Sequence, residues 1–140
     1  MIQLPHDNPE TFKNIPLSGH ICSMRRGNEK LYWQVEGLIK ASQNLSVFQA
    51  NIDELISKFG NSTWFGPYEK PTIAALLSHL KRAISADLNF PIILSADGKI
   101  MDGSHRVVGA SLKGLKTIPA VQFLTDPNPD YVEMVSDSAI

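Results

Sequence analysis

The stretch from Pro91 to Phe123 constrains this chain more than any other, because its breakers leave little choice of local structure. Pro91-Ile92-Ile93-Leu94 is a continuous apolar run, Ser95-Ala96-Asp97-Gly98 is turn chemistry, and Lys99-Ile100-Met101 resumes an extended pattern. An Asp-Gly step between two such runs predicts a hairpin. Asp102-Gly103 interrupts the second strand. Ser104 then stands where a helix cap belongs, before Val107, Val108, Ala110, Leu112 and Leu115, and Gly114 supplies a stop. A last strand, Ile118 to Phe123, completes a strand, hairpin, helix and strand series.

The remaining chain supplies cover for that unit. Leu31, Val35, Leu38 and Ile39 are spaced i, i+4, i+7 and i+8, which predicts a helix over about 28–42 with Asn28 as its cap. Ser46 to Ala50 suits a strand. Asn51 and Glu54 have capping-box-like spacing for a short helix carrying Leu55, Ile56 and Phe59 and stopped by Gly60. Ile73, Leu76, Leu77, Leu80 and Ile84 mark one face of a helix over about 71–87, with Pro71 at its first position. Between these helices, Trp64, Phe65 and Tyr68 sit among Gly and Pro, in a loop that either lids the core or stacks a base. Pro5, Pro9, Pro16, Gly19 and Gly27 deny helix to residues 1–27, which read as an irregular arm. The expected division is an arm and helix over 1–45, an α/β (α+β) domain over 46–124 and an acidic tail over 125–140.

Length and charge narrow the function. At 140 residues the chain suits one domain of the usual size, about 100–150 residues, and 43% hydrophobic content with 19% charged residues is that of a folded chain. The formal net charge is -1, with no Lys or Arg beyond Lys116, so autonomous binding to duplex DNA is not expected. Cys22 is the only cysteine, which precludes an intrachain disulfide and, unless several chains share it, a thiolate-rich metal site. A basic n-region and a long apolar run are both missing, so the chain is expected to be cytoplasmic with no membrane partner.

Chemistry concentrates at Asp102-Gly103-Ser104-His105-Arg106. The first amides of a helix lack intrahelical acceptors and stand at the positive end of its dipole, which makes the strand-glycine-helix junction an anion site. Arg106 offers a planar fork suited to phosphate, and Ser104 and His105 add short-range donors. Ser104 reads as a ligand-positioning cap rather than a nucleophile, since no base has obvious reach. His105 reads as a phosphate contact. Asp102 orients Arg106 or an acceptor hydroxyl, or stabilises the turn. Thr72 and His79, seven residues apart, share a helix flank that can face the same cleft. His79, His105 and an Asp show no recognised ligand spacing, so no metal site is expected.

These residues resemble the ParB/sulfiredoxin superfamily over about 46–124, and more closely its small stand-alone ParB-like proteins, which share the Trp-Phe loop, the Pro-Thr helix start, the Asp-Gly-x-His-Arg core and an Asp-Pro-x-Pro-Asp-Tyr tail. The resemblance implies a mixed sheet with flanking helices. In the partition proteins a Gly-x-x-Arg segment holds nucleotide phosphates, and Gly103 and Arg106 match it. Sulfiredoxins carry a reactive cysteine where this chain has Ser104, so sulfinate chemistry is not implied. A free-serine kinase of the superfamily has Asp-Gly-His-His-Arg, which Asp102, Gly103, His105 and Arg106 match. The expected function is a nucleotide or phosphoester site at residues 102–106. Asp102 and His105 are its catalytic candidates, Gly103, Ser104, His105, Arg106, Thr72 and His79 its ligand-binding candidates, nucleotide with magnesium the candidate cofactor and phosphoryl transfer the candidate reaction. The alternative is a non-enzymatic protein interaction module whose helix cap is structural, with a homodimer as a candidate assembly.

Overall fold

The computed structural model describes residues 20–65 and 69–135. Its elements, in chain order, are β1 (Ile21–Arg26), β2 (Glu29–Gln34), α1 (Val35–Ser42), β3 (Phe48–Asn51), α2 (Ile52–Ser57), α3 (Ile73–Ser85), β4 (Ile92–Leu94), β5 (Ile100–Asp102), α4 (Ser104–Leu112), β6 (Thr117–Gln122) and β7 (Tyr131–Met134). The architecture is α+β with two sheets. One is antiparallel, in the order β1-β2-β7. The other runs β3-β6-β4-β5 and is mixed, with β4 and β6 parallel and the outer pairs antiparallel.

The mixed sheet is buried on both faces, and the alternation of its side chains shows how. Ile92, Leu94, Ile118 and Ala120 pack with Leu55 of α2 and Val107 and Ala110 of α4. Ile93, Val121, Phe123 and Met101 point to the opposite side, against Trp33 and Cys22 of the first sheet and Leu38 of α1. A strand covered on both faces reads as an unbroken apolar run, which is why Pro91 to Leu94 carries no polar residue.

The same physics overturns the helix expected over 28–42. Its first half is β2, and only Val35–Ser42 is helical. Trp33 enters the inter-layer core while its neighbour Tyr32 packs with Ile21 and Tyr131 on the other face, so both are buried and the strand shows no alternation. Without a period of two, the chance spacing of Leu31, Val35 and Leu38 imitates a helix. Residues 1–19 of the expected arm lie outside the described residues, and from Ile21 the arm is strand β1.

The acidic stretch after residue 125 is equally tied down through Met134, while 136–140 lie outside the described residues. Trp33 Nε1 donates to the Pro127 carbonyl at 2.9 Å, the Gln34 amide donates to Asp130 Oδ2 at 2.7 Å, and β7 then pairs with β2. Asp126 accepts from Arg26 at 2.8 Å and from the Ala96 amide at 2.7 Å. Its carboxylate thereby joins the end of β1 to the β4–β5 turn.

Other local expectations meet their chemistry. Asn51 caps α2, its Oδ1 accepting from the Glu54 amide at 3.0 Å. α3 begins at Ile73 rather than Pro71, with Thr72 as its cap, Oγ1 accepting from the Ala75 amide at 3.1 Å. The apolar residues of α3 are the clearest departure. Ala83 alone is fully buried in that helix, whereas Ile73, Leu76, Leu77 and Ile84 are exposed. The helix packs through a close crossing in which a Cβ at Gly109 of α4 would lie 2.1 Å from the Ala83 carbonyl oxygen. No helix among the described residues is long and apolar enough to cross a membrane.

Candidate functional site

β5 ends at Asp102 and the chain turns through Gly103 into α4. Gly103 has φ 116°, a left-handed value that disfavours any side chain. A Cβ there would also lie 2.5 Å from Ile92 Cγ2 and 2.9 Å from Ile92 Cβ. The glycine is therefore required by the turn and by β4 beneath it. Gly103, not Ser104, holds the cap position and, as a glycine, makes no side-chain cap bond. Ser104 is the first helical residue, which corrects the expectation that it caps.

Arg106 stands one turn in, with its guanidinium facing the protein. Nη1 donates to the carbonyls of Phe90 and Pro91 at 2.8 and 2.9 Å, and Nη2 donates to Asp102 Oδ2 at 2.9 Å. Both side chains are largely buried, at 16% and 9% exposure. Three of the five guanidinium donors thus clamp the segment entering β4 to the end of β5. The fork that the sequence offers to a phosphate is thus occupied by the protein's own carbonyls and carboxylate. Of the three roles open to Asp102, the structure shows the pairing with Arg106.

The rest of the site is an aromatic cluster built from three segments. His79 reaches across from α3, and its Nδ1 lies 2.9 Å from Nε2 of His105 on α4. The two ring centroids are 5.1 Å apart with planes 14° from parallel, so the imidazoles meet edge to edge and one N–H is shared between them. Trp64 lies over the pair, 4.5 Å from His105 and 5.0 Å from His79, with its plane 1° and 13° from theirs. Its Nε1 donates to Ser104 Oγ at 2.9 Å. Phe65 closes one side with its edge toward His79 at 5.5 Å. The Gly109–Ala83 crossing is what brings α3 near enough for the histidines to touch.

Burial decides the charge of this cluster. His105 is 7% exposed, and desolvation, with help from Arg82 and His79, pushes its pKa down to about 3. His79 is shifted the same way, first by desolvation and then by Arg82, with Glu69 opposing. At neutral pH the cluster is an uncharged imidazole pair under an indole.

The structure thus unites Ser104, His105 and His79, holds Asp102 and Arg106 beside them, and leaves Thr72 as the cap of α3. Tyr68 lies outside the described residues. Trp64 belongs to the site more fully than its sequence reading as a lid or stacking residue allowed. The one signal for this was a tryptophan in a short loop leading into the helix that carries His79. Among the described residues no three His, Cys, Asp or Glu side chains gather as a metal-binding group. Comparisons with protein-family models, with curated proteins and with solved structures find no match for this chain.

Proposed function

We propose that the chain is a cytoplasmic ParB-like protein that binds a nucleotide or small phosphoester at the first turn of α4. The observation that carries this reading is the combination of a glycine at the helix cap with a carboxylate already paired to an arginine. Gly103 contributes no side-chain cap, and the first turn holds no acid. The nearest carboxylate, Asp102, is paired with Arg106 at 2.9 Å, so its charge does not oppose an incoming phosphate. Arg106 then acts through Asp102 and the backbone rather than as a phosphate fork. Ser104 and His105 border this turn, and Trp64, which lies against both, is an aromatic face suited to a base.

The geometry favours binding over phosphoryl transfer, because His105 shares its Nε2 with His79 and Asp102 is held by Arg106. A group placed for transfer needs its base directed at the acceptor hydroxyl. The second reading, a non-enzymatic interaction module, is favoured by Gly103, whose identity the turn and Ile92 already explain.

Titrating ATP, ADP, AMP and inorganic phosphate, with and without magnesium, by calorimetry and thermal shift tests the proposal. Saturable binding by the nucleotides is expected. Ser104→Asp is the decisive variant, since an aspartate there can still accept from Trp64 and suits the helix dipole, yet places a carboxylate where the phosphate belongs. It should lose binding, and a circular dichroism spectrum like the parent's checks that it folds. Unchanged affinity in that variant, or no binding of any of the four ligands at millimolar concentration, refutes the site.

A further inference from the structure

Helix α3 carries two faces. One holds Ala83 and His79 against α4. The other lies about 100° around the axis and consists of Ile73, Leu77, Leu80 and Ile84, a 4-3-4 spacing. Ile73 is 87% exposed, Ile84 57% and Leu77 49%, with Leu76 beside them at 43%. A surface helix normally buries its apolar stripe and exposes its charges. Here Ala83 is buried and Leu80 half-buried, while Ile73, Leu76, Leu77 and Ile84 face out.

We infer that α3 is one half of an antiparallel helix pair formed with a second copy of this chain, in which Ile73 meets Ile84 and Leu77 meets Leu80 across a two-fold axis. The 4-3-4 spacing is the seam by which two helices interlock side chains, and a flat or extended partner would not match it. A two-fold contact also requires a surface complementary to itself, which this stripe is, end for end. The helix dipoles select the antiparallel sense, since parallel helices would align them and an antiparallel pair opposes them. In the antiparallel pair Lys81, which lies immediately beside the seam, stands near Ala74 of the second copy, which carries no charge.

Area sets the strength. The exposed parts of Ile73, Leu76, Leu77 and Ile84, with what half-buried Leu80 adds, come to roughly 500 Å² per protomer, so a pair buries at most about 1,000 Å², the lower limit for a specific interface. An interface of that size makes the association weak and reversible.

Sedimentation velocity between 1 and 500 µM, at low and high salt, provides the test. The weight-average mass should rise from one chain toward two and persist in high salt, as an apolar seam requires. Leu77→Glu should keep the protein monomeric throughout with an unchanged circular dichroism spectrum. Leu112→Glu, an equally exposed apolar position on α4 outside the seam, should dimerise like the parent. If Leu77→Glu fails to fold, Ile84→Gln repeats the measurement at a more exposed position. Orientation is read from thiol crosslinking with a short bis-maleimide, the native Cys22 being fully buried. Mixed Ile73→Cys and Ile84→Cys proteins should crosslink to each other, and neither should crosslink alone. A monomer at every concentration, a dimer that survives Leu77→Glu, or efficient crosslinking within the Ile73→Cys protein overturns the inference.

Discussion

Replacing Gly109 by alanine tests whether the α3–α4 crossing governs the site. A glycine inside a helix ordinarily costs about 1 kcal/mol relative to alanine, so this substitution would be stabilising wherever space allowed. At Gly109 the new methyl would stand 2.1 Å from the Ala83 carbonyl oxygen, against the 3.4 Å at which ordinary contact begins. The obstacle is backbone, so it cannot rotate aside, and the helices must part by roughly an ångström. Overpacking of this kind costs about 3 kcal/mol, which leaves a net loss of about 2 kcal/mol and lowers Tm by about 6–8 °C in a chain this long. Urea unfolding of Gly109→Ala should therefore show a lower midpoint at an unchanged slope. Ala83→Gly in the same background should not restore stability, because the clash is with the carbonyl and not with the alanine methyl. Gly37→Ala in α1 is the contrast, since a Cβ there meets nothing within 4 Å and should gain about 0.5–1 kcal/mol. A Gly109→Ala protein as stable as the parent would refute the role assigned to the crossing.

The depressed His105 and His79 pKa values make stability depend on pH with a definite sign. The unfolded chain takes up protons below about pH 6.5 that the folded cluster refuses, so stability is complete above that pH and falls toward about 3, by at most about 1.4 kcal/mol per pH unit for His105. Urea midpoints measured at pH 7.5, 6 and 5 should decline in the parent and much less in His105→Gln. Arg106→Ala should cost about 3 kcal/mol or more, because it strands the buried Asp102 carboxylate and two carbonyls, and an unfolding curve like the parent's would contradict the clamp. Asn51→Ala should lose about 1 kcal/mol with the cap of α2. The Cys22 thiol, buried and raised to about 12, should react with a thiol reagent only on unfolding, which a native-state titration of free thiols checks.

Legibility in the sequence followed the strength of the local signal. The β4–β5 hairpin, α4 and β6 were readable because turn residues, glycine and apolar periodicity agreed there. β2 was not, since a strand buried on both faces has no alternation to read. The anchoring of Asp126 and Asp130 was hidden because their partners Arg26, Ala96 and Gln34 lie about 30 to 100 residues away. At the site, the cluster of Asp102, Ser104, His105 and Arg106 was visible as a motif. Their actual bonds were not, because a guanidinium facing carbonyls and one facing a phosphate look identical in sequence. The apolar residues of α3 were correctly read as one stripe, but nothing local told which way that stripe points.

The β2–β7 pairing has a consequence for how the chain acquires its structure. Tyr32 stands opposite Tyr131, so the hairpin of β1 and β2 gains its third strand from a segment about 100 residues later. A two-stranded ribbon is at best marginal in water. On a ribosome adding roughly 5–20 residues per second, that ribbon waits several seconds or more with one edge open and Tyr32 and Trp33 without their final cover. The mixed sheet, complete once β6 has emerged, is free to form first and to hold Trp33 from its other side. Assembly then proceeds from the middle of the chain outward, and the early strands are its most exposed stage for mispairing with other nascent chains.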